Sequence, residues 1–509
     1  MSCKTVSLLA LRSLWKTVHE PAVVVKYTMP DDLWVVCESD STSADSEDDS
    51  GDQLVPSRPV TGEDITRLTF YAPFIRRMNF GWNVPLTIAE EGYSALCMAC
   101  RAPVFPNLTH MGWDVDGLHL IYSRFFLCAS LRRMHIVAES LAMGDVAILR
   151  SIQQQCPTLS ELRVDLDTAT DALAKALSET FCAWDLRQLQ TSHVDQSGLV
   201  RLADSAQLEV LEVQTAEGLQ PMTRPVNFPR ASFAALTIFV LALPISLAAC
   251  IDMLSQSAFT SLHTLSLRAL TSCPERWGAL FAAIRKAHTN PRVLRELVLR
   301  DAVTDTDLAT SKGPEPEDVP DSRFAPLYDF VGLEVVYLSA QEGFRLSDHI
   351  IESMAQAWPD VRELRFEHRS RLLHPQLPLR SLAHLAAGCR RLETLEIDVN
   401  ATGVSLAHAP LAPWTAQSAL HTLRVNWSTI KSARPVAAYL STLFSDIKQL
   451  DSVSRHMDGL GDVHCPHWIK VFYLLPAFTA IQEYAQNSES GRWKEFSDGA
   501  FDGADDGEV

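Results

Sequence analysis

The sequence predicts an α/β fold: an irregular solenoid, or horseshoe, with parallel strands on its concave side and helices on its convex side. Three observations lead there. A short apolar phrase recurs twelve times. Its closing residues alternate apolar with polar, which is the period of a half-buried strand. Several stretches between phrases carry apolar residues at helical spacing.

The phrase is an apolar residue, two others, an apolar residue, one other, and an apolar residue. It reads LTHMGW at Leu108, LRRMHI at Leu131, LSELRV at Leu159 and LRQLQT at Leu186, where Thr191 holds the last apolar place. It continues as LEVLEV at Leu208, FAALTI at Phe233, LHTLSL at Leu262 and LRELVL at Leu294. LEVVYL at Leu333, VRELRF at Val361, LETLEI at Leu392 and LHTLRV at Leu420 complete the series. Successive starts lie 22 to 39 residues apart. The longest interval holds the polar, Pro-rich stretch 301–322, which is expected to be a loop insertion.

Between the phrases, LSDHIIESMAQAW (346–358) places Ile350, Ile351, Met354 and Trp358 on one helical face, with Ser347 or Asp348 as N-cap. SLAHLAAGCRRLETLEI (381–397) reads as a helix stopped at Gly388 and then a strand. GDVAILRSIQQQC (144–156), DALAKALSETFCAW (171–184) and RPVAAYLSTLF (434–444) are further helices. One strand–helix unit cannot bury both of its apolar faces, whereas stacked neighbours can. FAALTIFVLALPISLAACI (233–251) has 19 residues without a charge, long enough to cross a bilayer. The repeat assigns it instead to a strand, FAALTI, then Pro244, then a buried helix.

The phrase resembles leucine-rich repeats of the long, irregular kind over about residues 65–450. The Asn or Cys that usually follows the strand in that family is mostly absent; Asp167 and Leu270 stand in its place in two units.

The opening stretch puts Leu11, Leu14, Trp15 and Val18 at helical spacing, then a short apolar segment around Val23–Tyr27 and Pro30. Leu14–Trp15, Pro21, Val23–Val25 and Pro30–Trp34 resemble the closing end of the F-box in fungal F-box-type proteins with leucine-rich repeats. RPVTGEDITRLTFYAPFIRRMNF (58–80) and WIKVFYLLPAFTAIQEYA (468–485) share that resemblance. It implies a protein substrate on the concave face, and a Skp-type adaptor and cullin of an SCF ubiquitin ligase as further partners. Leu11, Leu14 and Trp15 would be adaptor-facing or capping residues. The front of such a box is missing from this sequence, so a second reading stands beside the first: a repeat scaffold with no ligase connection.

The expected organisation is therefore a truncated box acting as N-terminal cap over 1–37, and an acidic disordered linker over 38–57. The repeats occupy 58–460, a capping helix 461–486 and an acidic disordered tail 487–509. Among 509 residues, 47% are hydrophobic and 21% charged, and the formal net charge is −18. Such acidity argues against a general binder of nucleic acid or anionic membrane, both of which need Lys and Arg to replace counterions. Eleven scattered Cys do not suggest an oxidising compartment. The apolar run from Val6 to Leu11 is too short for a secretory signal, so cytoplasm or nucleus is the expected location.

No convergent set of chemical groups emerges. Cys97 and Cys100 in CMAC lack a second pair at zinc spacing. His464, Cys465 and His467 in HCPH crowd too closely to wrap one ion. GYSAL (92–96) lacks the second Gly of a nucleophile elbow. The expectation is a monomeric binding protein, not an enzyme, with no cofactor and no metal. Strand periodicity puts Glu161, Arg163, Asp165, Glu363, Arg365, Glu367, Thr394, Glu396, Asp398, Thr422, Arg424 and Asn426 on the concave face, with Trp427 beside them.

Overall fold

The computed structural model describes residues 9–37, 52–79, 86–100, 103–115, 119–214, 228–229, 231–270, 277–301, 321–340, 343–368, 375–404, 417–452 and 465–487. The chain packs as two compact units, Met1–Leu262 and His263–Val509. The acidic residues 38–51, the insertion from 302 to 320 and the tail from 488 lie outside the described residues.

The first unit holds β1 (Thr17–Val18), β2 (Trp34–Cys37), β3 (Asp52–Pro56), β4 (Arg77–Met78), β5 (Leu86–Ile88) and β6 (His110–Asp114). It continues with β7 (Arg133–Ala138), β8 (Glu161–Leu166), β9 (Gln188–Thr191), β10 (Val210–Val213) and β11 (Ile238–Ser246). Eight of these form a parallel sheet in the order β1-β4-β6-β7-β8-β9-β10-β11. The second unit holds β12 (Thr264–Leu270), β13 (Glu296–Asp301), β14 (Val335–Ala340), β15 (Glu363–His368) and β16 (Thr394–Glu396). After these come β17 (Asn400–Ala401), β18 (Thr422–Arg424), β19 (Thr429–Ile430) and β20 (Gln449–Asp451). Its parallel sheet runs β12-β13-β14-β15-β16-β18-β20, and β17 pairs with β19.

All twelve phrases lead into strands of these sheets. The fourth place of the phrase sits in register from strand to strand. In the first unit the row is Met78, Met111, Met134, Leu162, Leu189, Leu211 and Phe239. In the second it is Leu265, Leu297, Val336, Leu364, Leu395, Leu423 and Leu450. All but Leu450 are buried, each contributing about 2 kcal/mol of hydrophobic stabilisation. On β8, Leu162, Val164 and Leu166 point into this core while Glu161, Arg163 and Asp165 point out.

A second row begins three residues before the phrase. Phe105, Cys128, Cys156, Phe259, Phe330, Trp358 and Cys389 occupy it, all buried. Burial pushes the Cys156 and Cys389 thiols up to about 12, so they are protonated packing groups. Gln417 takes the same place before β18. Its amide donates to Cys389 O at 3.2 Å and Leu392 O at 2.9 Å and accepts from Leu420 N at 3.1 Å.

The turns after the strands use hydroxyls where the family has Asn. Ser192 Oγ accepts from Leu166 N, and Ser428 Oγ from Val399 N, each at 2.8 Å. Helices start where the short polar residues predict. Thr170 caps Asp171–Phe181, Ser246 caps Leu247–Gln256, and Ser347 caps Asp348–Ala357 by accepting from Ile350 N at 3.2 Å. Consecutive helices pack side by side, Met143–Gln155 on Asp171–Phe181 and Asp348–Ala357 on Leu382–Gly388. Gly388 ends its helix for a reason beyond chain direction: a Cβ there would meet the Ala355 carbonyl oxygen at 2.6 Å. The helix Cys465–Asn487 packs on Ala433–Leu443, with Trp468, Val471 and Leu475 buried.

Three expectations change. Residues 52–56, assigned to a disordered linker, form β3, which pairs antiparallel with β2 and parallel with β5 and buries Leu54. Phe233–Leu236 are a turn, with Phe233 at φ 58°, and the strand starts at Ile238. That strand runs through Pro244, which lies beyond the residues paired with β10, Ile238–Leu241, so no bond of that ladder needs its missing N–H. Val18 leaves the helical face of Leu11 and Trp15 and joins β1. No described helix is long and apolar enough to cross a membrane.

Candidate binding faces

Parallel pairing in register stacks the outward residues of successive strands into rows, so each sheet presents a ladder of polar side chains. In the first unit one row is Arg77, His110, Arg133, Glu161 and Gln188; the next holds Gly112, His135, Arg163 and Gln190. Arg133 Nε meets Glu161 at 2.5 Å. Arg163 Nε and His135 Nε2 share Asp165 Oδ2, at 2.7 and 2.8 Å. Burial raises the Asp165 carboxyl, but the His135 hydrogen bond and the Arg163 charge outweigh it, so its pKa is lowered. The His110 imidazole is held below its ordinary value by burial first, and then by Arg133 and Arg77. Because Gly112 has no side chain, the face is hollowed there. A cavity of about 250 Å³ opens among Asn79, Gly112, Arg133, His135, Arg163 and Gln190.

In the second unit one row is Ser266, Val298, Tyr337, Arg365, Glu396, Arg424 and Asp451. Arg300 lies over the Tyr337 ring at 4.8 Å, and the Tyr337 hydroxyl donates to Glu367. Burial and that carboxylate push the Tyr337 phenol up to about 12. Arg365 Nη2 reaches Glu363 at 2.6 Å, while its buried Nε meets no acceptor among the described residues. Arg424 bridges Glu396 at 3.6 Å and Asp451 at 3.3 Å. Glu396, expected on the surface, is 8% exposed, because Arg424 and the Asn426 amide, donating at 2.8 Å, cover it. Asp398 Oδ1 accepts from Trp427 N at 2.8 Å, which holds the half-buried Trp427 beside this row.

The sequence therefore placed Glu161, Arg163, Asp165, Glu363, Arg365, Glu367 and Arg424 on the correct strand face. It missed His110, Arg133 and His135, which the second and third phrases carry at the same places. Those residues were legible from the same alternation.

Among the remaining candidates, Cys97 lies on the helix Glu90–Ala99 and Cys100 caps it. Burial raises the Cys97 thiol and pushes Cys100 up to about 11, away from the thiolate that metal or redox chemistry needs. GYSAL belongs to that helix rather than to a strand–helix turn. His464 lies outside the described residues, Cys465 is the first residue of its helix, and His467 is half-buried. Near the start, Leu11 is half-buried, Leu14 is 74% exposed, and Trp15 stacks near Tyr71 at 5.2 Å.

Sequence and geometry together define a mixed α/β protein built on long parallel sheets with ordered polar faces. No protein-family model matches the chain, and no curated protein matches it.

Proposed function

We propose that the chain is a leucine-rich-repeat recognition module of the fungal F-box type, which holds a protein substrate for an SCF ubiquitin ligase. Each unit is then a stretch of irregular solenoid whose outward strand residues line the concave side. The observation that carries this reading is the strand-by-strand register of one phrase, which turns scattered polar residues into two continuous faces. Such faces suit a protein partner, through many modest contacts around a few anchors such as Trp427. The chemistry is scaffolding: a bound target gains effective concentration near the conjugating machinery.

The exposed Leu14, with Trp15 and the 55%-exposed Phe70 beside Tyr71, offers an apolar contact for a Skp-type adaptor. A specific observation also favours the alternative, a scaffold without ligase connection. Residues 17–34 are built into the first unit, with Val24, Val25, Leu33 and Trp34 buried, and so act as a cap. Size-exclusion chromatography of the full chain with a Skp-type adaptor at micromolar concentration separates the two. A complex that Leu14→Asp disrupts supports the ligase reading. Co-elution failure removes it and leaves the scaffold.

A further inference from the structure

We infer that the hollow at Gly112 is a receptor for one anionic side chain, phosphorylated or acidic, of the bound protein. This rests on the reading of the strand faces as protein-binding surfaces and names what the first one selects.

The hollow exists because a glycine stands between Asn79 on β4 and His135 on β7 in a row where every flanking residue has a side chain. At about 250 Å³ it is smaller than the usual pocket for a small organic ligand and admits a single side chain. Its walls are mostly hydrogen-bond donors. Asn79, Gln188 and Gln190 bring amides, His110 and His135 bring imidazoles, and Arg133 and Arg163 bring guanidinium groups.

Both arginines are held through Nε, by Glu161 and Asp165 respectively. That leaves the terminal Nη groups of each without a protein acceptor among the described residues, while the stem is oriented. A guanidinium fixed on one edge and open on the other is arranged to donate in parallel to a carboxylate or phosphate. The field at the site has the matching sign: beyond burial, it is Arg133 and Arg77 that disfavour the imidazolium of His110. On a chain of net charge −18, this is a local reversal of sign that attracts acidic groups. Glu161 and Asp165 set the charge balance of the empty site near neutrality. They bar a second cation and leave room for one anion.

The test uses the full chain and arginine labelling by phenylglyoxal, read residue by residue by mass spectrometry. Millimolar O-phosphoserine and, separately, N-acetylglutamate serve as probes, with Arg187, paired to Glu209, as internal control. Phosphoserine is expected to slow labelling of Arg133 and Arg163 by about tenfold, as nine-tenths occupancy requires, with Arg187 unchanged. Equal protection by N-acetylglutamate would identify an acidic side chain as the natural source; protection by phosphoserine alone would identify a phosphorylated one. Gly112→Leu, which fills the hollow, should abolish protection. Arg163→Gln, which keeps the hollow, should leave Arg133 unprotected. Protection by neither probe, protection that persists in Gly112→Leu, or equal protection of Arg187 overturns the proposal. None of these readouts involves the adaptor, so the site can fail while the ligase reading stands, and the reverse.

Discussion

Gly388 gives the sharpest test of how the helical layer is packed. Replacing glycine by alanine inside a helix ordinarily stabilises it by about 0.5–1 kcal/mol, since alanine loses less backbone freedom on folding. At Gly144, in the exposed first turn of Met143–Gln155, nothing lies within 4 Å of the added Cβ. There the ordinary gain should appear. At Gly388 the same Cβ would stand 2.6 Å from the Ala355 carbonyl oxygen and 3.0 Å from both the Ala355 carbonyl carbon and Cβ. These are mostly backbone atoms of a packed helix and cannot swing away as a flexible side chain would. Overpacking of this kind costs about 1–3 kcal/mol, which exceeds the propensity gain and leaves a net loss of about 1–2 kcal/mol. The assay is hydrogen exchange with mass spectrometry on peptides covering 348–358 and 382–389, alongside thermal denaturation. Gly388→Ala should speed exchange in both peptides and lower the melting temperature, while Gly144→Ala should leave it unchanged or raise it. A neutral or stabilising Gly388→Ala would refute the close contact of the two helices.

Three further predictions follow from buried polar groups. His193 is fully buried, and neither ring nitrogen meets a hydrogen-bond partner among the described residues; burial pushes its pKa down to about 4. The unfolded chain takes up the proton near pH 6.5 and the folded one does not, so stability is full above that pH. It falls by up to about 3 kcal/mol as pH drops from 6.5 toward 4. His193→Phe should flatten the melting temperature against pH in that window, and an unchanged slope would assign the loss to other groups. Gln417→Leu leaves three buried backbone groups without partners, at about 1 kcal/mol each, so a loss of about 3 kcal/mol is expected in denaturant titration. Asp64 accepts from both Nη groups of Arg58 at 2.9 Å and from Thr61 N and Oγ1 at 2.8 Å, and the Arg58 guanidinium holds its carboxyl well below the usual range. Asp64→Ala should accelerate amide exchange at Thr61, with no change in the second unit; unaltered exchange would show that the loop holds without it.

Much of this architecture was readable from spacing alone, because a strand paired in parallel on both sides must repeat its apolar residues in register. The phrase found the strands, and Ser347 and the apolar stripe of Ile350, Ile351 and Met354 found a helix and its cap. The strands it missed are the short ones. Ile75-Arg-Arg-Met78-Asn-Phe80 carries the phrase before β4, yet β4 has two residues, and β1 and β20 are as slight, so pairing rather than local pattern defines them. β3 was hidden because Asp52 and Gln53 continue an acidic stretch; its only buried residue is Leu54, which gains its place from β2 and β5. Glu396 was misplaced because alternation tells which way a side chain points and not what lies over it. Arg424 and Asn426 come from a strand 28 residues later in the sequence, and only the folded register brings them above the carboxylate.

The brevity of β1 has a consequence for solubility. A sheet margin of several residues is a template on which another copy of the chain could grow, strand upon strand, into a polymer. A margin of two residues, Thr17 and Val18, offers almost no free ladder bonds for such growth. The next strand inward, β4, is equally short, and only β6, with five residues, would present a usable template. Cutting the chain back past β4 would thus convert a blunt end into an adhesive one, and insolubility would follow before any loss of recognition could be measured.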